Sequence, residues 1–115
     1  MHKMIEELED CPIIAAVKDD EGLEACLESE SSMVFVLYGD ICTIGEVVKK
    51  IQSRGKRAVI HMDLIQGLSA KEAAVNFLKE YTRADGIITT RPALIRRAKE
   101  LGLFTVLRFF VIDSM

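Results

Sequence analysis

The sequence predicts an α/β fold of the (β/α)8 TIM-barrel type, with about the first five strands and four helices of a parallel barrel present. Three observations predict it. Short runs apolar on both faces recur along the chain, as strands of a helix-covered parallel sheet require. Amphipathic helical stretches separate them, with connections of only a few residues. The turn after the first run is Lys18-Asp19-Asp20, without the GxGxxG or GxxxxGK[ST] glycines of a nucleotide-binding open sheet. The expected strand order is therefore sequential, 1-2-3-4-5.

Each element has its own signal. Ile13 to Val17 is an apolar run entered from Pro12, and Leu23, Cys26 and Leu27 mark the helix Glu21–Leu27 at i, i+3, i+4 spacing. Met33 to Tyr38 is the second strand. Thr43, with Glu46 three residues on, suits a capping box for a helix to Ser53, whose apolar face is Ile44, Val47, Val48 and Ile51. Gly55 lies just past its end. Arg57 to Leu64 reads as the third strand, and Ser69 with Glu72 as the cap of a helix through Tyr81. Gly86 to Thr90 is a short strand, Pro92 opens a helix to Leu101 closed by Gly102, and Phe104 to Ile112 is the fifth strand. Met4, Ile5 and Leu8 suit an additional N-terminal turn. The whole, 1–115, reads as a single incomplete barrel domain. Five strands do not close a barrel, and Phe104–Ile112 would be a long apolar edge, so the chain is expected to continue or to be covered by partners.

Composition narrows the function classes. Half the residues are hydrophobic and 29% are charged, an ordinary globular balance. No apolar run reaches the ~18 residues of a membrane span, and the acidic start MHKMIEELEDC is neither a signal nor a transit peptide. Cys11, Cys26 and Cys42 form no CxxC pair and suit reduced, buried thiols of a cytoplasmic protein. The net charge of −3 hides an asymmetry: residues 1–30 carry ten acids against two lysines, so the remainder nets +5. A local basic face is compatible with that balance.

In a βα barrel, function collects where strands end at their C-termini. Each strand here ends in polar residues: Lys18, Asp40, His61 with Asp63, Thr89-Thr90-Arg91, and Arg108 with Asp113-Ser114. His61 and Asp63 share strand parity, as does Lys18 with Ala16 and Ile14, so these side chains are expected at one mouth. The arrangement suits either internal ion pairs or a pocket for an anionic, hydroxyl-bearing ligand. A catalytic alternative is a barrel enzyme acting on a small phosphorylated metabolite, with His61 and Asp63 as acid and base; Lys18 would be the Schiff-base candidate. Neither has a motif behind it. Lys49, Lys50, Arg54, Lys56 and Arg57 crowd the second helix and its exit, and Arg96, Arg97 and Lys99 lie on the fourth. Solvated helix faces and a phosphate-backbone surface both fit these cations.

Five blocks carry a family resemblance. They are Pro12-Ile13-Ile14-Ala15-Ala16-Val17-Lys18-Asp19, Phe35-Val36-Leu37-Tyr38-Gly39-Asp40-Ile41, His61-Met62-Asp63-Leu64-Ile65-Gln66-Gly67-Leu68, Asp85-Gly86-Ile87-Ile88-Thr89-Thr90-Arg91, and Arg108-Phe109-Phe110-Val111-Ile112-Asp113-Ser114. In these the sequence resembles the glycerol-3-phosphate-responsive antiterminators, also called glycerol uptake operon antiterminator regulatory proteins. The resemblance implies a barrel that senses glycerol 3-phosphate and binds leader mRNA of glycerol-utilisation operons, preventing premature termination. It implies no enzyme, no cofactor beyond that effector, no metal, and a homo-oligomer away from membranes. By the same resemblance, Lys18, Asp40, His61, Asp63, Thr90, Arg91, Arg108 and Asp113 are ligand-pocket candidates. Lys49, Lys50, Arg54, Lys56 and Arg57 are the RNA-face candidates. Family members carry further strands, with glycine- and Ser/Thr-rich loops that suit a phosphate; those loops are absent from this sequence.

Overall fold

In the computed structural model residues 13–109 are described. The N-terminal turn, Cys11 and Asp113 lie outside the described residues, as does the expected end of the fifth strand. Five parallel strands, β1 (Ile14–Val17), β2 (Met33–Val36), β3 (Arg57–His61), β4 (Gly86–Thr89) and β5 (Phe104–Leu107), lie in the order β1-β2-β3-β4-β5. Between them run α1 (Asp20–Leu27), α2 (Ile44–Ser53), α3 (Glu72–Phe77), which continues as a π-helical turn over Leu78–Thr82, and α4 (Pro92–Glu100).

The helices all pack on one face of the sheet. Val17, Val34, Val36, Ala58, Ile60 and Ile87 alternate along the strands and bury against Leu23, Ile44, Val48, Ile51, Val75, Leu78, Leu94 and Ala98. Fully burying one such leucine or isoleucine contributes roughly 1.5–3 kcal/mol, so this layer carries most of the cohesion. On the opposite face Met33, Val59 and Ile88 form a second cluster, flanked by Phe35, Phe104 and Val106. Sequential order with helices on a single face is the singly wound arrangement of barrel folds, as the sequence predicted. At β1 the inner face is open: Ile14 is 43% exposed.

Gly86 is required where it stands. A Cβ there would come within 2.4 Å of the Phe104 carbonyl oxygen on the neighbouring strand.

Element ends differ from expectation in three places, each for a local reason. The third strand stops at His61, because Met62–Leu64 closes a 3-10 turn rather than continuing extended. The third helix opens at Lys71, without a side-chain cap from Ser69; its last five residues relax to a π turn ended by Arg83 in the left-handed region. Thr43 makes no side-chain cap bond to α2. Asp40 organises that turn instead, its Oδ1 accepting from the amides of Cys42 (2.8 Å) and Thr43 (3.0 Å).

Beyond the strands, the loops after β2 and β3 pair with each other. Asp40 and Gln66 form a parallel bridge, in which the Ile41 amide donates to the Gln66 carbonyl and the Gln66 amide to that of Gly39, both at 3.0 Å. Gly67, at φ 85°, lies against the Ile41 side chain.

Candidate functional site

A cleft of about 270 Å³ opens at the C-terminal ends of β3, β4 and β5. It is lined by His61, Asp63, Thr90, Arg91 and Arg108, five of the eight pocket candidates, and by Met62, Leu64, Leu68 and Ala70.

Asp63 is the organising group. Its Oδ1 accepts from the Thr89 hydroxyl (3.0 Å), and its Oδ2 accepts from the amide and hydroxyl of Thr90, both at 2.9 Å. The Arg91 amide in turn donates to the Thr89 hydroxyl oxygen at 3.2 Å. Partial burial pushes the carboxyl up, but the Thr90 and Thr89 donors and nearby His61 outweigh it, leaving Asp63 below its usual 3.8. Because the chain turns at Met62–Leu64, parity does not set Asp63 beside His61. It reaches over the end of β4 and fastens the turn after β3 to the loop that carries Arg91.

His61 ends β3 and is 2% exposed. The Arg108 guanidinium, a donor only, lies with Nη1 3.0 Å from His61 Nε2. That nitrogen therefore accepts, and the proton resides on Nδ1. Burial holds His61 below its usual 6.5; Asp63 opposes this and Arg108 reinforces it. Among the described residues Nδ1 is buried and meets no hydrogen-bond partner.

Two other pocket candidates stand apart from the cleft. Lys18 is exposed at the end of β1, and Asp40 is committed to the turn before α2. Asp113 lies outside the described residues. The apolar lining, Met62, Leu64, Leu68 and Ala70, carried no chemical signal in the sequence. Thr89 did, as part of a polar strand end, although nothing there announced its bond to Asp63.

The RNA-face candidates lie at the other end of the sheet. Lys49 is exposed; Lys50 Nζ is 3.7 Å from Glu24 Oε2, and Arg54 Nη1 is 3.5 Å from Glu28 Oε1. Arg57 Nη1 lies 3.9 Å from Asp85 Oδ1. Lys56 departs from the expectation of a surface cation: it is 8% exposed, and its Nζ donates to the carbonyls of Ser29 and Ser31, both at 2.7 Å. A buried ammonium needs such acceptors, so this lysine ties the turn before β2 to the start of β3 and does not face a partner.

Among the described residues no three His, Cys, Asp or Glu side chains gather as a metal site, and no helix is long and apolar enough to cross a membrane.

Comparison with known proteins agrees with the fold. The chain is 48% identical over 104 residues to the uncharacterized protein YgcP of Escherichia coli strain K12, an alignment covering 90% of this chain and 54% of that protein. The glycerol uptake operon antiterminator regulatory protein of Listeria monocytogenes str. 4b F2365 superposes with a TM-score of 0.84 at 33% identity, over 89% of this chain and 55% of that one. A glycerol uptake operon antiterminator-related protein of Thermotoga maritima MSB8 does so with a TM-score of 0.78 at 38% identity, over 89% and 57%. The chain thus spans about half the length of these relatives. The family model for the glycerol-3-phosphate responsive antiterminator matches residues 13–115. This chain belongs to the glycerol-3-phosphate responsive antiterminator family.

Proposed function

We propose that this chain is the effector-sensing part of a transcription antitermination regulator. Glycerol 3-phosphate occupies the cleft at the ends of β3–β5. The liganded protein, a cytoplasmic homo-oligomer, then binds leader mRNA of glycerol-utilisation operons. The observation that supports the reading is a cleft at the strand ends that holds two guanidinium groups, Arg91 and Arg108, beside the Asp63 carboxylate. Arg91 with Arg108 supplies the charge a phosphate monoester requires. Asp63 accepts three hydrogen bonds and retains room for one more, from a ligand hydroxyl. The phosphate gains further donors from the half of the relatives' length that has no counterpart here.

The cleft reads as a binding site and not a catalytic one. A histidine base oriented by a carboxylate would need His61 and Asp63 joined, whereas His61 faces Arg108 and the Asp63 bonds go to Thr89 and Thr90. For RNA, the basic end of the sheet around Lys49, Lys50, Arg54 and Arg57 is the proposed side. Binding of effector at one end and RNA at the other makes the coupling conformational, with the liganded state favoured for RNA.

Isothermal titration tests the reading, applied to this chain and to a form extended to the relatives' length. Saturable binding of glycerol 3-phosphate, with neither glycerol nor inorganic phosphate matching it, and loss on Arg108→Ala, is the expected result. No binding by either form, each shown to be folded by circular dichroism, removes glycerol 3-phosphate from the account.

A further inference from the structure

His61 and Arg108 belong to strands that are not neighbours. His61 stands beside Ile88 of β4, and Ile88 beside Val106 of β5, so β4 lies between them. The Arg108 amide donates to the Thr89 carbonyl at 2.9 Å, which fixes its backbone against the end of β4. Its side chain crosses that strand end, and Nη1 meets His61 Nε2 at 3.0 Å. The two partners differ in exposure: the imidazole is buried, whereas the arginine is exposed and lines the cleft. A buried ring on a central strand thus holds a long side chain that an incoming anion can reach.

The contact exists in one protonation state only. A guanidinium has donors and no acceptor, so Nε2 must carry its lone pair. A proton on that nitrogen removes the acceptor and sets two cations against each other at hydrogen-bond distance. Burial is the main influence favouring the neutral ring; Asp63, from the turn after β3, opposes it, and Arg108, from the end of β5, reinforces it. Those two are the charged groups that act on His61 among the described residues. The strands on either side bring apolar residues, Ile88 next to His61 and Val36 next to Ile60. Asp63 lies below its usual 3.8 and stays ionised through the range in which a histidine titrates.

We propose that His61 is a positioning residue: as a neutral acceptor it holds the Arg108 guanidinium over the cleft for an anion, and on protonation it releases it. The proposal rests on the anion-binding cleft of the function proposed above and adds a proton-linked control of its affinity. A released arginine keeps its charge but must surrender rotamer freedom when the anion binds, so affinity falls without the site being destroyed. A pair kept for packing alone would leave affinity independent of the state of the ring.

The test uses sulfate, whose charge is constant across this range, beside glycerol 3-phosphate. Binding to the isotope-labelled chain is read by NMR from the Arg108 Nε–H signal, identified by its loss in Arg108→Lys. At about pH 7.5, His61→Ala should weaken sulfate about fivefold, and His61→Gln, which retains an acceptor and does not titrate, should recover most of that loss. Between about pH 7.5 and pH 4.5 the wild type should lose sulfate affinity with the midpoint of the His61 ring itself, and His61→Gln should show no such step. Equal affinity in wild type and His61→Ala, affinity that rises in acid, a midpoint other than the ring's, or no sulfate binding at all overturns the proposal. Melting temperatures show whether the variants are folded, and the wild-type profile decides the matter where one is not. Glycerol 3-phosphate separates the two readings. Sulfate that follows His61 while glycerol 3-phosphate fails to bind sinks the effector alone, whereas glycerol 3-phosphate bound with equal affinity by wild type and His61→Ala sinks the positioning role alone.

Discussion

Replacing Asp63 by asparagine removes a charge while keeping the shape, and the three bonds to Thr89 and Thr90 set the size of the effect. The carboxylate accepts on both oxygens, so the asparagine NH2 group must stand where one oxygen stood. There it meets hydroxyl or amide donors instead of accepting from them. One or two charge-assisted hydrogen bonds are lost, each about 1.5–3 kcal/mol if fully buried; the residue is solvent-exposed, which reduces the expected total to about 1–2 kcal/mol. For a chain of this size that is a fall in Tm of about 4–8 °C. The pH dependence gives the diagnostic sign. The carboxyl is held below its usual 3.8 in the folded protein, so its contribution is fully present above that value and is lost as the pH falls through the lower folded pKa. Urea denaturation of wild type and Asp63→Asn at pH 7, and in steps below pH 4, measures both. Equal midpoints at pH 7, or a wild-type advantage that persists in acid, would refute the claim that this carboxylate fastens the turn after β3 to the loop after β4.

Three further outcomes are expected. Lys56→Met leaves the carbonyls of Ser29 and Ser31 without their donor and should lower stability by about 2–4 kcal/mol, read from the denaturation midpoint. A surface phosphate-binding lysine would cost almost nothing there. Gly86→Ala drives a methyl into the Phe104 carbonyl and must displace β5, which a selective rise in hydrogen exchange of the β5 amides should register, with about 1–3 kcal/mol or more of destabilisation. In Arg108→Ala, the His61 imidazole loses a neighbour that holds its pKa down. NMR titration of its ring proton should then show protonation at higher pH than in wild type, still opposed by burial; an unmoved midpoint would mean that Arg108 does not face the ring in solution.

The large-scale plan was legible because βα patterning is redundant. Apolar runs, helical periodicity, Pro92 and Gly102 all pointed the same way, and the strand order followed from the lack of a glycine-rich first turn. The end of β3 was not legible: His61-Met62-Asp63-Leu64 keeps strand-like alternation, and the turn there is fastened by bonds from Asp63 to Thr89 and Thr90 at the end of the neighbouring strand. The role of Asp40 was masked by Thr43, a good capping residue that does stand at the N-cap of α2, but whose hydroxyl bonds back to Asp40 and not to the helix amides. Lys56 was misplaced because charge in a basic cluster resembles surface charge, and its acceptors are carbonyls, which leave no trace in side-chain identity. The cleft was legible in its charged members, which cluster at strand ends, and illegible in its apolar ones. The pairing of His61 with Arg108 joins residues 47 positions apart, a distance no local pattern spans.

The bridge between Asp40 and Gln66 has a consequence for protein engineering. Barrel loops are commonly treated as interchangeable parts, each grafted onto the scaffold without regard to its neighbour. Here two successive loops share two backbone hydrogen bonds and a side chain seated on Gly67, so they behave as one inheritable cassette. A donor sequence for either loop should be accepted only with its companion. A library that shuffles the two together should return far more folded members than one that shuffles them singly.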